Sequence, residues 1–400
     1  MLGKVPSAFA RLAPRHAGAA RPAIRSLATL AEETSPRRAR KVCIFGSGSF
    51  GTAMATVLAR NGFNVVILAR REDICEGINK NHRNVSYLTG YPLPFNVRAE
   101  LSAEKALMDA DLIVHSIPVQ ATTEFLENIV HLIPPTTPIV NTSKGLHTTT
   151  LQLMSEVIPA ALGRPNQPVA FFSGPTFAKE LMEGWPTGAV IAATDKKLAQ
   201  HVAASFRSPS LRLWTSDDVV GIEVAGALKN VYAIAAGMVE GLGLGLNTTS
   251  LLVTRAVAEM NQVARALGAR PDTLVGLGGM GDLMLTSYGG LSRNRTVGVR
   301  LGRGEDMSEI MGSASEVAEG VATTPAAYEL ASKHGIHAPI IESVHHVLNG
   351  DITPVDALMA LMDQNQEVLS THRSEPENIL GQGNVDTDSE TGNISESDRA

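Results

Sequence analysis

One short segment limits the fold of this chain more than any other. Lys41–Phe45 is an apolar run typical of a buried strand, and it ends directly at the cluster Gly46-Ser47-Gly48-Ser49-Phe50-Gly51. An alanine-rich stretch of helical character follows and stops at Asn61-Gly62. The pattern Gly-x-Gly-x-x-Gly is weak alone, but a strand before it and a helix after it are the context that a dinucleotide-binding turn requires. The segment therefore predicts the first strand, turn and helix of an α/β fold.

Each glycine of this turn has its own physical reason. Gly46 permits the tight turn, and Gly48 removes a Cβ that would keep the backbone away from a pyrophosphate. Gly51 lets the helix pack closely on the strand, and the helix N-terminus offers N–H groups to phosphate oxygens. We predict that Gly46, Gly48, Ser49, Phe50 and Gly51 bind a dinucleotide cofactor.

The end of the second apolar run, Asn64–Ala69, bears on which dinucleotide is bound, because the residues after it are Arg70-Arg71-Glu72. An acidic residue there would bind the ribose hydroxyls of NAD, whereas an arginine can hold the 2′-phosphate of NADP. An arginine can also stack on the adenine of NAD. We predict NAD(H) as cofactor with Arg70 in its site, NADP(H) as a second cofactor that Arg70 allows, and no metal.

Further short apolar runs alternate with helical patterns up to residue 214; they are Asp111–Ile117, Pro138–Asn141, Val169–Ser173, Ala189–Ala193 and Leu211–Trp214. Continuous apolar strands separated by helices predict a parallel sheet covered on both faces. From Ser216 to Ser370 the pattern is helical, with no convincing strand. The predicted fold is an α/β Rossmann-type domain at residues 41–216 followed by an all-α domain at residues 217–370.

Composition excludes several classes of protein. The net charge of −6 argues against a general nucleic-acid binder. The longest apolar region, Val219 to Val253, is interrupted by Glu223, Lys229 and several glycines, so we predict no integral membrane segment. Cys43 and Cys75 form no Cys-x-x-Cys or Cys/His cluster, which excludes a disulfide framework or a zinc site.

The two ends differ from the middle. Residues 1–31 carry five basic residues and no acidic one, a composition typical of an organelle-targeting presequence. We predict that residues 1–40 direct the protein to the mitochondrial matrix, with the plastid stroma as an alternative. The protein would be cytosolic if this segment is a disordered basic tail. Residues 371–400 are rich in Ser, Asp, Glu and Asn and are predicted to be a disordered acidic tail.

Five further segments make the prediction more specific; in chain order they are Ser143–Leu146, Ser173–Glu180, Gly226–Val231, Gly279–Leu283 and Ser292–Arg295. With them the chain closely resembles the bacterial-type NAD(P)-dependent glycerol-3-phosphate dehydrogenases, from about residue 41 to 365. The resemblance implies reversible hydride transfer between sn-glycerol 3-phosphate and dihydroxyacetone phosphate, and a homodimer is expected. Phe50 departs from the family, which commonly has a tyrosine there.

The resemblance makes Lys229 the general acid/base. Its helical neighbours Ala225, Tyr232 and Ala233 are apolar, and burial among them would lower the pKa of the lysine. A nearby Asp282 would raise that pKa, and the sequence does not decide which effect is larger. The alternative is a lysine that extends to the surface from an amphipathic helix.

The resemblance also implies the other site residues. The substrate-binding set is Lys144, Gly174, Thr176, Lys229, Asn230, Asp282, Ser292, Arg293 and Asn294, and the cofactor-binding set adds Lys144, Ala178, Arg293, Val317 and Glu319 to the glycine turn. A guanidinium at 293 can hold phosphate oxygens in a bidentate manner, and an ammonium at 144 can stabilise oxyanion character. The alternatives are a solvated charged turn at 293, a plain strand-ending turn at 173–176 and an exposed helical glutamate at 319.

Two other functions are compatible with part of this sequence. A 6-phosphogluconate or β-hydroxyacid dehydrogenase would have a similar build but a different spacing of lysine and asparagine, whereas here Lys229 and Asn230 are adjacent. A catalytically silent nucleotide sensor would be expected to lack a chemical group, yet Lys144, Lys229, Asp282 and Arg293 are all present. The histidines contribute no obvious chemistry, and a packed or solvated His115 is expected.

Overall fold

The computed structural model of the chain describes residues 40–313 and 318–363. The predicted presequence, apart from Arg40, lies outside these ranges. The predicted acidic tail and Val317 lie outside them as well.

Within the described ranges, the strands form one eight-stranded sheet in the order β3-β2-β1-β4-β5-β6-β7-β8. Their bounds are β1 Lys41–Phe45, β2 Asn64–Leu68, β3 Val97–Glu100, β4 Leu112–His115, β5 Ile139–Asn141, β6 Val169–Ser173, β7 Thr187–Ala192 and β8 Leu211–Ser216. Val42 of β1 pairs with Val65 on one side and with Leu112 on the other. The chain leaves β1 toward one edge and then returns to build the other, which makes the carboxyl ends of β1 and β4 the switch point where ligands of such sheets bind.

Helices cover both faces of this sheet. They are α1 Ser49–Arg60, α2 Glu72–Asn81, α3 Ala103–Leu107, α4 Thr122–Ile129, α5 Met154–Leu162, α6 Ala178–Glu183 and α7 Lys196–Phe206, with short 3-10 helices at Val119–Ala121 and Val130–Leu132. Val42 and Ile44 of β1 belong to the apolar core on one face, and Cys43 and Phe45 to the core on the other. Burial on both faces is why the strand is a continuous apolar run, and the predicted α/β class is confirmed.

The sheet differs from the prediction in two respects. β3 was not predicted, because its sequence Val-Arg-Ala-Glu alternates between buried and more exposed positions, as an edge strand allows. The predicted parallel sheet contains one antiparallel pair, since β7 runs antiparallel to β6. The intervening segment contains only the six-residue helix α6, so the chain turns back before it can return to the start of β6.

The described chain is helical after β8. The helices are α8 Val219–Gly241, α9 Leu246–Ala266, α10 Pro271–Leu274, a π-helical turn at Leu277–Gly281, α11 Asp282–Tyr288, α12 Arg293–Gly302, α13 Met307–Ser313, α14 Glu319–Lys333, α15 Pro339–Asn349 and α16 Pro354–Asp363. α8 is long and apolar enough to cross a membrane, but 94% of its most apolar window is buried inside the protein. It is the central helix around which the others pack.

Two glycines let α8 and α12 touch through their backbones. A Cβ added at Gly298 of α12 would lie 1.9 Å from the carbonyl oxygen of Ile234 on α8. A Cβ at Gly237 of α8 would lie 2.1 Å from the carbonyl oxygen of Arg295. No larger residue fits at either position, so this contact fixes how the start of α12 is presented beside α8.

Candidate active site

The glycine turn lies at the carboxyl end of β1, at the switch point of the sheet. Gly46 has φ +100°, and a Cβ on it would lie 2.8 Å from the carbonyl oxygen of Ser116; a Cβ on Gly51 would lie 2.2 Å from the carbonyl oxygen of Gly46. Gly48 is different, because a Cβ there would meet nothing within 4 Å. It precedes α1, whose first turn contains no acidic residue. The turn therefore has the open approach and the positive helix end that a pyrophosphate needs.

Hydrogen bonds join this turn to the loops beside it. The Gly46 N–H donates to the carbonyl oxygen of Leu68 at 3.4 Å, which places the end of β2, and Arg70 two residues later, next to the turn. Ser116 and Thr142, which follow β4 and β5, share a hydroxyl–hydroxyl bond of 2.8 Å. Lys144 is two residues beyond Thr142. The loops after four neighbouring strands thus form one continuous edge.

A cluster of two lysines around one carboxylate is the central feature of the site. Lys229 Nζ donates to Asp282 Oδ1 at 2.8 Å and to Thr286 Oγ1 at 2.9 Å. Lys144 Nζ donates to the other oxygen of Asp282 at 2.5 Å. Lys229 is 8% exposed and Asp282 1% exposed, so these charges are shielded from water and interact strongly. The alternative of a surface-directed Lys229 is wrong.

Burial and pairing oppose each other in setting the lysine's protonation. Burial is the larger effect and lowers the pKa of Lys229 to about 8, although the Asp282 carboxylate raises it and the Lys144 ammonium lowers it further. Burial raises the pKa of Asp282, but the two ammonium groups more than offset this, so the net shift is downward. Burial of the Lys229 amine therefore has a larger effect on its pKa than the Asp282 carboxylate, a balance that the sequence did not decide. Lys229 can exchange a proton near neutral pH.

Local backbone structure brings Asp282, Thr286 and the two lysines together. A π-helical turn at Leu277–Gly281, an arrangement often found at functional sites, delivers Asp282 to the start of α11. Thr286 lies one helical turn further on the same face. Gly226 of α8 leaves room for the Lys144 side chain, since a Cβ there would lie 3.5 Å from Lys144 Cγ.

The predicted phosphate-binding trio lies at the start of α12. Ser292 is the N-cap and accepts from the Arg295 N–H at 3.2 Å. Asn294 Nδ2 donates to Asn230 Oδ1 at 2.9 Å, and Asn294 Oδ1 accepts from the Gly320 N–H at 2.9 Å. Asn230 follows Lys229 directly, so α12 is tied to the lysine cluster through this pair of amides.

Arg293 is exposed, yet it belongs to the same electrostatic environment as the lysines. Burial raises the pKa of Glu319, at the start of α14, while the charges of Arg293, Lys229 and Lys144 oppose that shift in this order. All three cations thus act on one carboxyl group. Arg293 and Lys229 therefore lie on neighbouring helices, which the Asn294–Asn230 hydrogen bond joins, and act on the same carboxyl group.

Other predicted residues lie in the segment after β6 and in the glycine turn. Gly174 has φ +143°, and a Cβ on it would lie 2.9 Å from the Cα of Ala189, so backbone packing alone requires glycine there. Thr176 bonds back to the carbonyl oxygen of Gly174 at 3.1 Å. Ala178 begins α6, and the Phe50 ring packs against Phe172 with centroids 6.0 Å apart.

Thr286 lies on α11, and His115 is the last residue of β4. The sequence prediction missed Thr286, although its position one helical turn after Asp282 could have suggested a shared partner. His115 is fully buried and its Nε2 lies 2.9 Å from Thr122 Oγ1. Burial lowers the pKa of His115 to about 3, so it is a packed neutral histidine.

Comparison with known proteins agrees with this geometry. The family models described as NAD-dependent glycerol-3-phosphate dehydrogenase N-terminus and C-terminus match residues 41–199 and 218–359. A chloroplastic glycerol-3-phosphate dehydrogenase [NAD(+)] of Arabidopsis thaliana is 47% identical over 344 residues, covering 86% of this chain and 82% of the relative. A glycerol-3-phosphate dehydrogenase [NAD(P)+] of Leptospira biflexa is 42% identical, covering 81% and 98%.

A solved structure gives the same result in three dimensions. The crystal structure of glycerol-3-phosphate dehydrogenase from Coxiella burnetii superposes with a TM-score of 0.78 at 33% identity, covering 82% of this chain and 99% of that one. These matches do not favour the alternative of a 6-phosphogluconate or β-hydroxyacid dehydrogenase. The chain belongs to the NAD-dependent glycerol-3-phosphate dehydrogenase family, and it is an NAD(P)-dependent oxidoreductase.

Proposed function

We propose that this enzyme interconverts sn-glycerol 3-phosphate and dihydroxyacetone phosphate, with Lys229 as the general acid/base. The observation that carries the proposal is the buried Lys229 amine, whose pKa is lowered to about 8, beside Asp282 and Thr286. A bound nicotinamide supplies the hydride or accepts it. In this role the enzyme supplies or consumes glycerol 3-phosphate for glycerolipid and carbohydrate metabolism.

Proton transfer follows from the protonation of Lys229. In the oxidation, the neutral amine takes the proton of the secondary hydroxyl. In the reduction, the ammonium returns that proton to the oxygen that was the ketone. Because the pKa of Lys229 is about 8, both forms are populated near neutral pH, so one group can serve both directions.

The rest of the cluster stabilises the charge that develops. Lys144, held by Asp282, places a second positive charge where the C2 oxygen gains oxyanion character. Asp282 keeps the two ammonium groups together and holds Lys229 in one orientation. Asn230, Gly174 and Thr176 complete the proposed substrate site.

The phosphate is bound by the start of α12. Arg293 offers a forked guanidinium, and Ser292 and Asn294 border it at the positive end of the helix. A phosphate dianion would compensate the excess positive charge of Arg293 and the lysine pair. We propose that residues 41–216 and 217–370 are two domains with this site between them.

The cofactor lies on the glycine turn in this proposal. Gly46, Gly48, Ser49, Phe50 and Gly51 would hold its pyrophosphate. We also assign to its site Arg70, Lys144, Ala178, Arg293, Val317 and Glu319, although Val317 lies outside the described residues. NAD(H) is the proposed main cofactor, and Arg70, exposed after β2, would admit the 2′-phosphate of NADP(H).

A turnover assay tests the function. Purified protein is expected to oxidise NADH when dihydroxyacetone phosphate is added and to leave 6-phosphogluconate unchanged. Replacing Lys229 by Ala should lower kcat by about 10²- to 10⁴-fold, the usual contribution of a positioned acid/base group. Near-normal turnover by Lys229→Ala would remove that lysine from the mechanism.

The cellular location is proposed from the relatives. The Arabidopsis thaliana protein is described as chloroplastic, which favours the plastid stroma, and the comparisons give no support to the mitochondrial matrix. A fluorescent fusion of residues 1–40 should accumulate in plastids and not in mitochondria. Deleting residues 1–36 should abolish import and leave turnover intact.

A homodimer is also proposed. The helical part exposes several large apolar side chains, among them Leu246 at 73% and Met359 at 63% exposure. Such side chains are common at interfaces between subunits. Light scattering after gel filtration should give twice the mass of the chain, and the mass of one chain would contradict the proposal.

A further inference from the structure

A small pocket beside the lysine cluster has no role in the mechanism above. It is narrow, with room for about one ordered water molecule. It shares Lys144 with the cluster, and its other polar lining residues come from the ends of β5 and β6 and from α8; they are Asn141, Ser143, Ser173 and Glu223.

Two of these residues have a buried polar atom that needs a partner. Ser173 is 2% exposed. Ser173 Oγ and Glu223 Oε2 form no hydrogen bond with any residue in the ranges 40–313 and 318–363. Buried polar atoms in proteins are nearly always paired, and water is the usual partner when no protein group is close enough.

The other oxygen of Glu223 is already bound. Oε1 accepts from the Ser155 N–H at 3.1 Å, so the carboxyl group caps the start of α5. Burial raises the pKa of Glu223 to about 8, and the neighbouring Glu156 raises it as well, while the hydrogen bonds from Ser155 and Met154 lower it. Glu156 from α5 acts on this carboxyl group through its charge, and Lys144 from the loop after β5 lines the same pocket.

Lys144 and Ser173 lie close to α8 one turn beyond Glu223. A Cβ at Gly226 would lie 3.5 Å from Lys144 Cγ and 3.6 Å from Ser173 Oγ. An ammonium group can donate three hydrogen bonds, and Lys144 donates one of them to Asp282. Water in the pocket would therefore accept a second hydrogen bond from Lys144 and donate one to Glu223.

We propose that Glu223 is a positioning residue that holds the Lys144 ammonium at the substrate site through ordered water shared with Ser173 Oγ. The inference rests on the proposed function, because Lys144 is assigned to the substrate there. Glu223 touches neither substrate nor cofactor and acts only through Lys144.

Three variants test this role. Glu223→Gln keeps an oxygen for the Ser155 N–H but cannot carry a charge, and Ser173→Ala removes only the hydroxyl. Both should lower kcat for dihydroxyacetone phosphate about three- to tenfold, the cost of one hydrogen bond, with KM for NADH and Tm unchanged. Glu156→Gln is the matched control, since Glu156 caps the same helix by accepting from the Leu153 N–H at 3.0 Å and does not line the pocket.

The pH profile separates positioning from helix capping. Because the pKa of Glu223 is raised to about 8, its carboxyl group becomes charged only as the pH rises through that value. The loss of kcat in Glu223→Gln should therefore be larger above pH 8 than below it, whereas Glu156→Gln should show no such pH dependence. Equal behaviour of the two variants would mean that Glu223 only caps α5 and would overturn the proposal.

A crystal structure of the wild-type enzyme gives a test that does not depend on turnover. Water within hydrogen-bond distance of both Glu223 and Ser173 is expected. A pocket without water would overturn the inference about Glu223 and leave the proposed function standing. An inactive wild-type enzyme would instead contradict the proposed function, so the two failures can be told apart.

Discussion

The glycine turn and the lysine cluster are assembled in opposite ways. The turn is six consecutive residues, 46–51, and its shape follows from contacts among that segment and the adjacent strand end. The cluster gathers Lys144, Lys229, Asp282 and Thr286, and its hydrogen bonds join residues up to 138 positions apart. A local site depends on its own sequence, whereas a dispersed site depends on the helix packing that joins its parts.

Among substitutions that test this difference, Arg293→Ala is expected to have the largest effect on KM. Losing a bidentate, charge-assisted contact of about 3 kcal/mol with the substrate phosphate should raise KM for dihydroxyacetone phosphate about 100-fold. KM for unphosphorylated dihydroxyacetone should change much less. Steady-state kinetics with both substrates measure the difference.

Arg295→Ala is the control for this prediction. Arg295 lies on the same helix but pairs with Glu240 of α8, and a partly exposed pair contributes little. It should leave both KM values nearly unchanged. Equal increases for the two substrates in Arg293→Ala would mean that the guanidinium does not bind phosphate.

The comparison also explains what the sequence could predict. The glycine turn and the strands β1, β2 and β6 were predicted because their signals are consecutive residues with a fixed physical meaning. The ion pairs of Asp282 with both lysines could not be derived from spacing, since Lys144 and Asp282 meet only after α8 packs on the sheet and on α11. The resemblance supplied Lys144, Lys229 and Asp282, whereas Thr286 and the geometry of the cluster came from the structure.

Smaller features escaped prediction for related reasons. β3 is an edge strand with an alternating pattern and lacks the apolar run by which the others were recognised. Glu223 was seen only as an interruption of an apolar region, because nothing in the sequence indicates that it caps α5.

Two glycine substitutions, one in the helix packing and one in the glycine turn, test how far each site depends on the stability of the fold. Gly298→Ala places a methyl group 1.9 Å from the Ile234 carbonyl oxygen, so it should lower the free energy of unfolding by about 3 kcal/mol and weaken activity with every substrate. Gly48→Ala meets nothing within 4 Å and has φ −68°, which alanine adopts freely. It should leave stability unchanged and raise KM for NADH. Urea unfolding and kinetics would contradict this if Gly48→Ala unfolded first.

Asp282→Asn tests the electrostatics of the dispersed site. The Asp282 charge raises the pKa of Lys229 against the effect of burial, so removing it should lower that pKa below about 8. Oxidation needs the neutral amine and increases as pH rises through the pKa, while reduction needs the ammonium and decreases. Both inflections should move to lower pH by about one unit. An unchanged profile would mean that Asp282 does not set the charge of Lys229.

The smallest effect is expected at the edge of the local site, with Arg70→Ala. Arg71 forms an ion pair with Asp73, whereas Arg70 is exposed directly after β2 and next to the glycine turn. An exposed charge contact contributes up to about 1 kcal/mol, so KM for NADPH should rise up to about fivefold and KM for NADH should stay nearly constant. Arg71→Ala, the matched control, should leave the ratio of the two KM values unchanged. If the two variants alter that ratio equally, cofactor choice depends on the general positive charge after β2, and this part of the site would be less local than the glycine turn itself.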